Sequence, residues 1–400
     1  MKVCIIAPTV IPLLGDKQCY GGIELVISLA TEELVRRGHE VYLFASGDSR
    51  TSAKLISLCP KAIGQSISLD EERALNHKAY EMAVAKNPDV IWDHTLGIHA
   101  QTGEAFAQGD DFNYKPNIVL NPERLIDTKD IPVIQTLHGP AKDHLPGIVN
   151  NLAKAGHYCV SISHDQALRY ASYVPKEQFL GTVYNAVDTK LYQPKIHQGG
   201  DYFVWLGRYG MEKGAHIALA VAHKLKTPIM VVGKLAEKHE QNYFDAFVKP
   251  NLQKCDTVVS NVAMEDKIKI FRNAKATLMT NLWPEPFGLV AIESMATGTP
   301  VIGPALGALV EIIGGSGILV PVDDLGISEQ QKTVTPAQEK YVDRIIKYMP
   351  KLDSIPPHLP RDRVEKLFSV KHNVDGYEEA FAKAIYLKTK KLTDGLLEKR

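Results

Sequence analysis

The stretch Trp283-Pro284-Glu285-Pro286-Phe287-Gly288-Leu289-Val290-Ala291-Ile292-Glu293, continuing through Ser294-Met295-Ala296-Thr297-Gly298-Thr299-Pro300, reads as a loop entering a helix. Glu285 stands where an N-cap belongs, Pro286 suits the first helical position, and Gly298 suits the C-terminal stop. The free N–H groups near Phe287, Gly288 and Leu289 then point out of the first turn. With the positive end of the helix dipole they make a site for an anion such as a phosphate. On such a helix Glu285 and Glu293 lie about 12 Å apart, wide for the roughly 5 to 9.5 Å between the paired carboxyl groups of a glycosidase, although side chains could close part of the gap. The two acids are therefore read as serving different parts of one ligand. Glu293, about 7.5 Å along the axis from Gly288, falls where a ribose would lie if its diphosphate sat on the first turn, and Glu285 faces the group beyond the phosphate. An ordinary buried helix that carries two acids is the plain alternative.

The whole sequence of 400 residues predicts about two to three domains and a sizeable core. Lysine plus arginine equals aspartate plus glutamate, 46 of each, so no global charge argues for nucleic acid, and a hydrophobic share of 45% is ordinary for a globular protein. No run approaches the roughly 18 apolar residues of a membrane span, and Met1 to Ala7 is too short for a signal peptide and reads as a first strand. Cys4, Cys19, Cys59, Cys159 and Cys255 are odd in number and lack Cys-x-x-Cys spacing. They suggest neither a disulfide framework nor a zinc site, and a reduced cytoplasmic setting is the simplest account.

After the strand at Lys2 to Ala7 a loop reaches Tyr20-Gly21-Gly22-Ile23-Glu24. A helix follows to Gly38, with Leu25, Ile27, Leu29, Ala30, Leu34 and Val35 as its apolar face, and then a strand at Glu40 to Ala45. This is the β-α-β opening of a doubly wound sheet, without the Gly-x-Gly-x-x-Gly of a dinucleotide fold. Gly21 and Gly22 could let backbone approach a phosphate or an acceptor, or simply serve a tight turn. Ser68 to Ala85 reads as helix, Asp89 to Trp92 as a strand ending in Asp93-His94, and Pro132 to Leu137 as a strand ending in His138-Gly139. Carboxyl ends of parallel strands face the ligand crevice of an open α/β sheet, which makes Asp93, His94 and His138 candidates. A local turn bond competes for the first two and a backbone-satisfied ring for the third. A histidine there can donate to a substrate hydroxyl or carry a proton near neutral pH. Gln108 to Asp130 reads as an excursion loop with one short strand at Asn117 to Leu120. Tyr158 to Ser163 and Gly181 to Tyr184 continue the sheet around a helix from His164, and Pro194 to Gly200 has the composition of a linker.

The second half restarts the pattern with a strand at Tyr202 to Leu206, the loop Gly207-Arg208-Tyr209-Gly210-Met211-Glu212-Lys213-Gly214, and a helix from Ala215 to Leu225. Strands follow at Pro228 to Val232, Thr257 to Val259, Ala276 to Thr280, Pro300 to Ile302 and Ile318 to Val320. Helices are expected at Glu265 to Asn273, Gly288 to Thr297 and Ala308 to Ile313. Two such sheets joined by a linker form a cleft, where ligands commonly bind. Arg208 offers a planar fork to two phosphate oxygens and Lys213 a compact point charge. Fixed cations of this kind could together do for a bound anion what a metal does elsewhere, whereas either residue alone would pass for a solvated surface charge. Asp110-Asp111 and Asp323-Asp324 read as turns rather than metal ligands. Asp362 to Phe381 reads as helical, and the basic tail from Lys388 to Arg400 as a solvated, frayed end.

In this order, Gly-Gly-Ile-Glu at 21–24, Leu-His-Gly at 137–139, Asn-Ala-Val-Asp at 185–188, Gly-Arg with Glu-Lys-Gly at 207–214, and Glu-x7-Glu at 285–293 resemble the retaining glycosyltransferases of family 4 over nearly the whole chain. The resemblance implies an α/β GT-B fold, with two Rossmann-like doubly wound parallel-sheet domains facing each other across a cleft. Residues 1–195 would form the acceptor-side domain, joined by returning helices at about 370–400, and 200–365 the nucleotide-sugar domain. It also implies transfer from a nucleotide-diphosphate sugar, UDP by default or GDP, to a carbohydrate, lipid-linked or small-molecule hydroxyl, with no cofactor and no metal. Gly21, Gly22, Gly207, Arg208, Lys213, Glu285, Phe287, Gly288, Leu289 and Glu293 would bind the donor. Glu293 would hold the ribose, Glu285 and His138 would lie beside the transferred sugar, and Arg208 and Lys213 would hold the diphosphate. Glu24, Asp93 and His94 are candidates for the acceptor side. Ala186 and Tyr209 depart from the family's usual glycine and small aliphatic residue. Some relatives dock on membranes through basic surfaces, but nothing specific indicates it here. A sugar-nucleotide epimerase or phosphorylase of the same architecture, or a sensor that binds without turnover, stays open as an alternative.

Overall fold

The computed structural model describes residues 1–15, 21–64, 68–102, 118–195, 199–323 and 334–397. Cys19, Tyr20, Asp110, Asp111, Asn117, Asp324 and part of the expected linker lie outside them. Among the described residues, those up to Ala186 and from Val370 onward form one compact unit, and Val187–Ser369 form the other.

The first unit opens with β1 (Lys2–Ile6), α1 (Gly22–Arg36) and β2 (Glu40–Ala45). It continues through β3 (Lys54–Ser57), α2 (Leu69–Ala85), β4 (Val90–Asp93) and a short antiparallel ribbon of β5 (Gln101–Thr102) with β6 (Val119–Leu120). β7 (Val133–Leu137), α3 (Leu145–Lys154), β8 (Tyr158–Ser161), α4 (His164–Tyr170) and β9 (Phe179–Thr182) complete the alternation. Seven strands pair in the order β3-β2-β1-β4-β7-β8-β9, and every pair is parallel. Covered on both faces, the central strands are fully buried and read as continuous apolar runs such as Val90-Ile91-Trp92. α2 starts where its sequence says it should, at a capping box in which Ser68 and Glu71 satisfy each other's backbone. The order of the sheet reverses between β1 and β4, which puts the start of α1 and the end of β4 at the topological switch point.

The second unit repeats the scheme with β10 (Phe203–Leu206), α5 (Ala215–Lys224), β11 (Ile229–Gly233), α6 (Lys238–Tyr243), β12 (Thr257–Ser260), α7 (Met264–Asn273), β13 (Ala276–Leu278) and α8 (Leu289–Ala296). β14 (Val301–Pro304), α9 (Leu309–Ile313), β15 (Ile318–Val320), α10 (Pro336–Tyr348) and α11 (Leu359–Leu367) follow. Its six parallel strands run β12-β11-β10-β13-β14-β15, so the loops after β10 and β13 share the switch point. The chain then returns to the first unit as α12 (Val370–Leu397), whose Val374, Tyr377, Phe381 and Ala384 recur at helical spacing and join the core around Trp92. Tyr377 packs 4.2 Å from the Trp92 ring centre, and its hydroxyl lies 3.1 Å from Thr136 Oγ1, which accepts from Trp92 Nε1 at 2.8 Å.

The units divide between Ala186 and Val187, where Val187 bridges to Ser369 and the Thr189 and Tyr192 carbonyls accept from Arg361 on α11. Two expectations are corrected. The helix expected over Asp362–Phe381 is two helices, broken at Phe368-Ser369. α12 also continues through Lys388 to Leu397 as helix, where a frayed tail was expected. Among the described residues no helix is long and apolar enough to cross a membrane.

Gly214 shows how tightly the second switch point is built. Its φ is 67°, and a Cβ there would drive into the carbonyl oxygen of Thr280. Gly38 has a φ of 86° with nothing within 4 Å of its Cβ position. Gly214→Ala should therefore lower stability by about 2 kcal/mol or more, and Gly38→Ala by about 1 kcal/mol. Thermal and denaturant unfolding of the two variants checks this, and equal losses would contradict the close approach.

Candidate active site

Two hydrogen bonds tie the loop after β13 to the loop after β10, and a third holds the latter to β10. Leu282 N–H donates to the Glu212 carbonyl at 2.8 Å, Thr280 Oγ1 to the Gly214 carbonyl at 2.7 Å, and Trp205 Nε1 to the Lys213 carbonyl at 3.1 Å. That lacing delivers the Lys213 ammonium to Glu285, with Nζ 2.7 Å from Oε2. The same oxygen accepts from Asn281 Nδ2 at 2.6 Å and Trp283 Nε1 at 3.1 Å, and the ammonium stands 5.1 Å from the Trp283 ring centre. Three donors thus load Oε2, and Oε1 has no partner among the described residues. Arg208 is held more loosely, Nη2 lying 3.5 Å from Glu212 Oε1 on a side chain that is 48% exposed. Its guanidinium keeps most of its donors for something else.

α8 begins at Leu289, with Gly288 as N-cap in a left-handed conformation, φ 97°. Glu285 is therefore in the loop and not the cap, and Pro286 is not the first helical residue, so the helical spacing from Glu285 to Glu293 does not hold. The reason is local: a residue that precedes proline is pushed out of the helical region, and the chain needs the glycine turn before it can wind. Glu285 still leans over the helix start, because a Cβ on Gly288 would lie 3.7 Å from Glu285 Cγ, and the Glu285 carbonyl is fixed by the Ala308 N–H at 3.0 Å. Leu289 and Val290 open the helix, so their N–H groups have no carbonyl within it. Phe287 is an anchor, its side chain buried edge-on to Phe368 at 5.9 Å. One turn into α8, Glu293 is 4% exposed. Its Oε1 accepts from Lys267 Nζ at 2.7 Å and from the Tyr192 hydroxyl at 2.9 Å.

In the first unit Gly21 caps α1 with φ 95°, Gly22 is its first residue, and Glu24 lies buried in its first turn. Burial pushes the Glu24 carboxyl up to about 7. His94 Nδ1 and His138 Nε2 are 2.8 Å apart, with rings stacked at 5.1 Å. Burial lowers both, His94 well below the usual imidazole value and His138 to about 4. Asp93 is fully used, accepting from the Tyr80 hydroxyl at 2.6 Å, the Thr95 N–H at 2.7 Å, Thr95 Oγ1 at 2.6 Å and the Gly97 N–H at 3.0 Å. Among the described residues no group of three or more His, Cys, Asp or Glu side chains is placed to hold a metal ion.

Residues 188–325 match the family described as Glycosyl transferases group 1. The chain carries a group 1 glycosyltransferase domain. It is 23% identical over 347 residues to the N-acetyl-alpha-D-glucosaminyl L-malate synthase of Bacillus anthracis, a match that covers 78% of this chain and 84% of that protein. Among solved structures it is similar to the sucrose-phosphate synthase of Thermosynechococcus elongatus, with TM-score 0.70, 18% identity and 100% of both chains covered. It is also similar to Anabaena Alr3699/HepE in complex with UDP and glucose, with TM-score 0.67, 16% identity and 96% and 99% of the two chains covered. The fold is GT-B.

Within the matched residues the structure brings together Lys213, Glu285 and the Gly288 turn, and in the other unit His94 and His138. Asp93 spends four acceptances on Tyr80, Thr95 and Gly97 at the end of β4. Of the two roles read for His138, burial disfavours the charged one and leaves the hydrogen bond. Asn281, Lys267 and Tyr192 were not singled out from the sequence, and Trp283 was quoted without a role. Only the placement of Trp283 and Asn281 within four residues of Glu285 could have signalled them.

Folding raises the Glu24 carboxyl from 4.5 to about 7, so the folded state binds more protons between those values and loses stability as pH rises through them. The loss is complete above pH 7 and amounts to about 3 kcal/mol. Glu24→Gln stays uncharged and escapes it. The variant should melt several degrees above wild type at pH 8 and match it at pH 4.5. Identical pH dependences of the two melting curves would rule out a desolvated carboxyl.

Proposed function

We propose that the chain is a retaining glycosyltransferase that moves a sugar from a nucleoside-diphosphate donor, UDP- or GDP-linked, to a hydroxyl acceptor without a metal ion. The observation that carries this reading is the Lys213–Glu285 pair at the mouth of α8, with three donors on one carboxylate oxygen and the other left over. Lys213 and Arg208 meet the diphosphate, helped by the N–H groups that open α8. These charges are fixed before the reaction, so they stabilise the growing charge of the leaving diphosphate without reorganising. Glu285 holds hydroxyls of the transferred sugar through its remaining oxygen, and Glu293 takes the ribose. The sugar–phosphate bond breaks with its electrons on the diphosphate, and the leaving phosphate oxygen takes the proton of the attacking acceptor hydroxyl. The neighbour Alr3699/HepE was solved with UDP and glucose, and with UDP-glucose, which supports testing a uridine donor first. The reduced cysteine setting favours the cytoplasm, and Cys4, Cys59, Cys159 and Cys255 are free thiols.

A thermal-shift panel of UDP-, GDP- and ADP-sugars should give one clear winner, and Arg208→Ala should abolish its shift. With that donor and a turned-over acceptor, Lys213→Ala should lower kcat/KM by about a hundredfold to a thousandfold. Excess EDTA should leave the rate unchanged, and NMR of the product should report the donor's anomeric configuration. Inversion or EDTA-sensitive turnover would overturn the corresponding part of the reading. Turnover that needs no acceptor would favour an epimerase, and dependence on inorganic phosphate a phosphorylase. Binding with no turnover would favour a sensor.

A further inference from the structure

Glu293 is assigned above to the donor ribose, and the following rests on that reading. A carboxylate 4% exposed needs compensation, and here it is asymmetric. Lys267 Nζ and the Tyr192 hydroxyl both donate to Oε1, whereas Oε2 has no partner among the described residues. Lys267 is itself only 5% exposed, stands 5.8 Å from the Tyr192 ring centre, and forms no second ion pair among the described residues. Three separate segments thus converge on one oxygen: α7 supplies Lys267, the stretch that opens the second unit supplies Tyr192, and α8 supplies Glu293.

The convergence is braced by backbone. Arg361 on α11 donates to the carbonyls of Tyr192 and Thr189 and to that of Ala296 at the end of α8, the last two at 2.7 Å each. One guanidinium therefore fixes the segment that carries Tyr192 against the helix that carries Glu293. The Tyr192 hydroxyl also touches Met264 Sδ at 3.2 Å, which closes the apolar side of the site. With Oε1 doubly occupied the carboxylate cannot turn its ring of acceptors freely, and Oε2 is presented in one orientation.

We infer that Lys267 and Tyr192 are positioning residues for the nucleotide: they lock Glu293 so that its second oxygen accepts from the vicinal ribose hydroxyls. Neither residue touches the ligand. Their effect is confined to discrimination between a ribose and a sugar without those hydroxyls.

The test measures dissociation constants of UDP, GDP and ADP and of their 2′,3′-dideoxy counterparts by calorimetry on the full chain. The readout is the ratio of dideoxy to ribo constants for the tightest base. In wild type the ratio should be about tenfold to a hundredfold. Glu293→Gln and Lys267→Met should bring it close to one by weakening only the ribonucleotide, Tyr192→Phe should cut it severalfold, and Lys267→Arg should restore most of it. A structural defect would weaken both ligands together and leave the ratio intact. If Lys267→Met does not fold, Tyr192→Phe carries the test, because it removes one hydroxyl and keeps the ion pair. A ratio lost in Glu293→Gln but unchanged in Tyr192→Phe and Lys267→Met overturns this inference and spares the ribose assignment. A ratio unchanged in Glu293→Gln overturns both.

Discussion

Everything in the second unit depends on two backbone loops approaching closely enough for a lysine to meet a glutamate. Gly214 has no side chain to hold Thr280 away, so the β10 and β13 loops join through Leu282 and Thr280, and Lys213 reaches Glu285. The pair is only partly exposed, so its attraction is weakly screened and its desolvation has to be offset by further donors. Asn281 and Trp283 supply them. Glu293 solves the same problem with Lys267 and Tyr192. In both cases the compensation falls on a single oxygen, which is how a charged acceptor can be stabilised in the free protein and still have capacity for a ligand.

Much of this was legible in the sequence because the periodicities are strong. Alternation of apolar strands with amphipathic helices reads as a doubly wound sheet twice over, and the loops after β10 and β13 stood out by a helix-start pattern and by resemblance to family motifs. The helix start was misread at a specific place. A proline two residues before Gly288 looks like a helix opener, yet a residue that precedes proline is disfavoured in the helical region. β3 escaped notice because Lys54-Leu55-Ile56-Ser57 is a short, half-exposed edge strand with too few apolar positions to register. α3 escaped because Pro146 and Gly147 near its start disguise its apolar face, Ile148, Val149 and Leu152.

Site chemistry was less legible where it depends on pairing across long sequence distance. Nothing local says that His94 stacks on His138 or that Lys267 meets Glu293, since each partner lies on a different element of its sheet. Asp93 shows what position alone leaves out. A carboxylate at a strand's carboxyl end is a sound candidate until its four donors are seen, two of them from Thr95. Position in the fold nominates a residue, and its remaining hydrogen-bond capacity decides what it can do.

The return of α12 has a bearing on how the polypeptide is made. Trp92 and Thr136 acquire the Tyr377 side of their packing only after the 183 residues of Val187–Ser369 have been synthesised. At ordinary translation speeds that is a delay of roughly 10 to 40 s. On the ribosome the early sheet must wait with an uncovered aromatic face while the later one can close on itself, so the order of maturation runs against the order of synthesis.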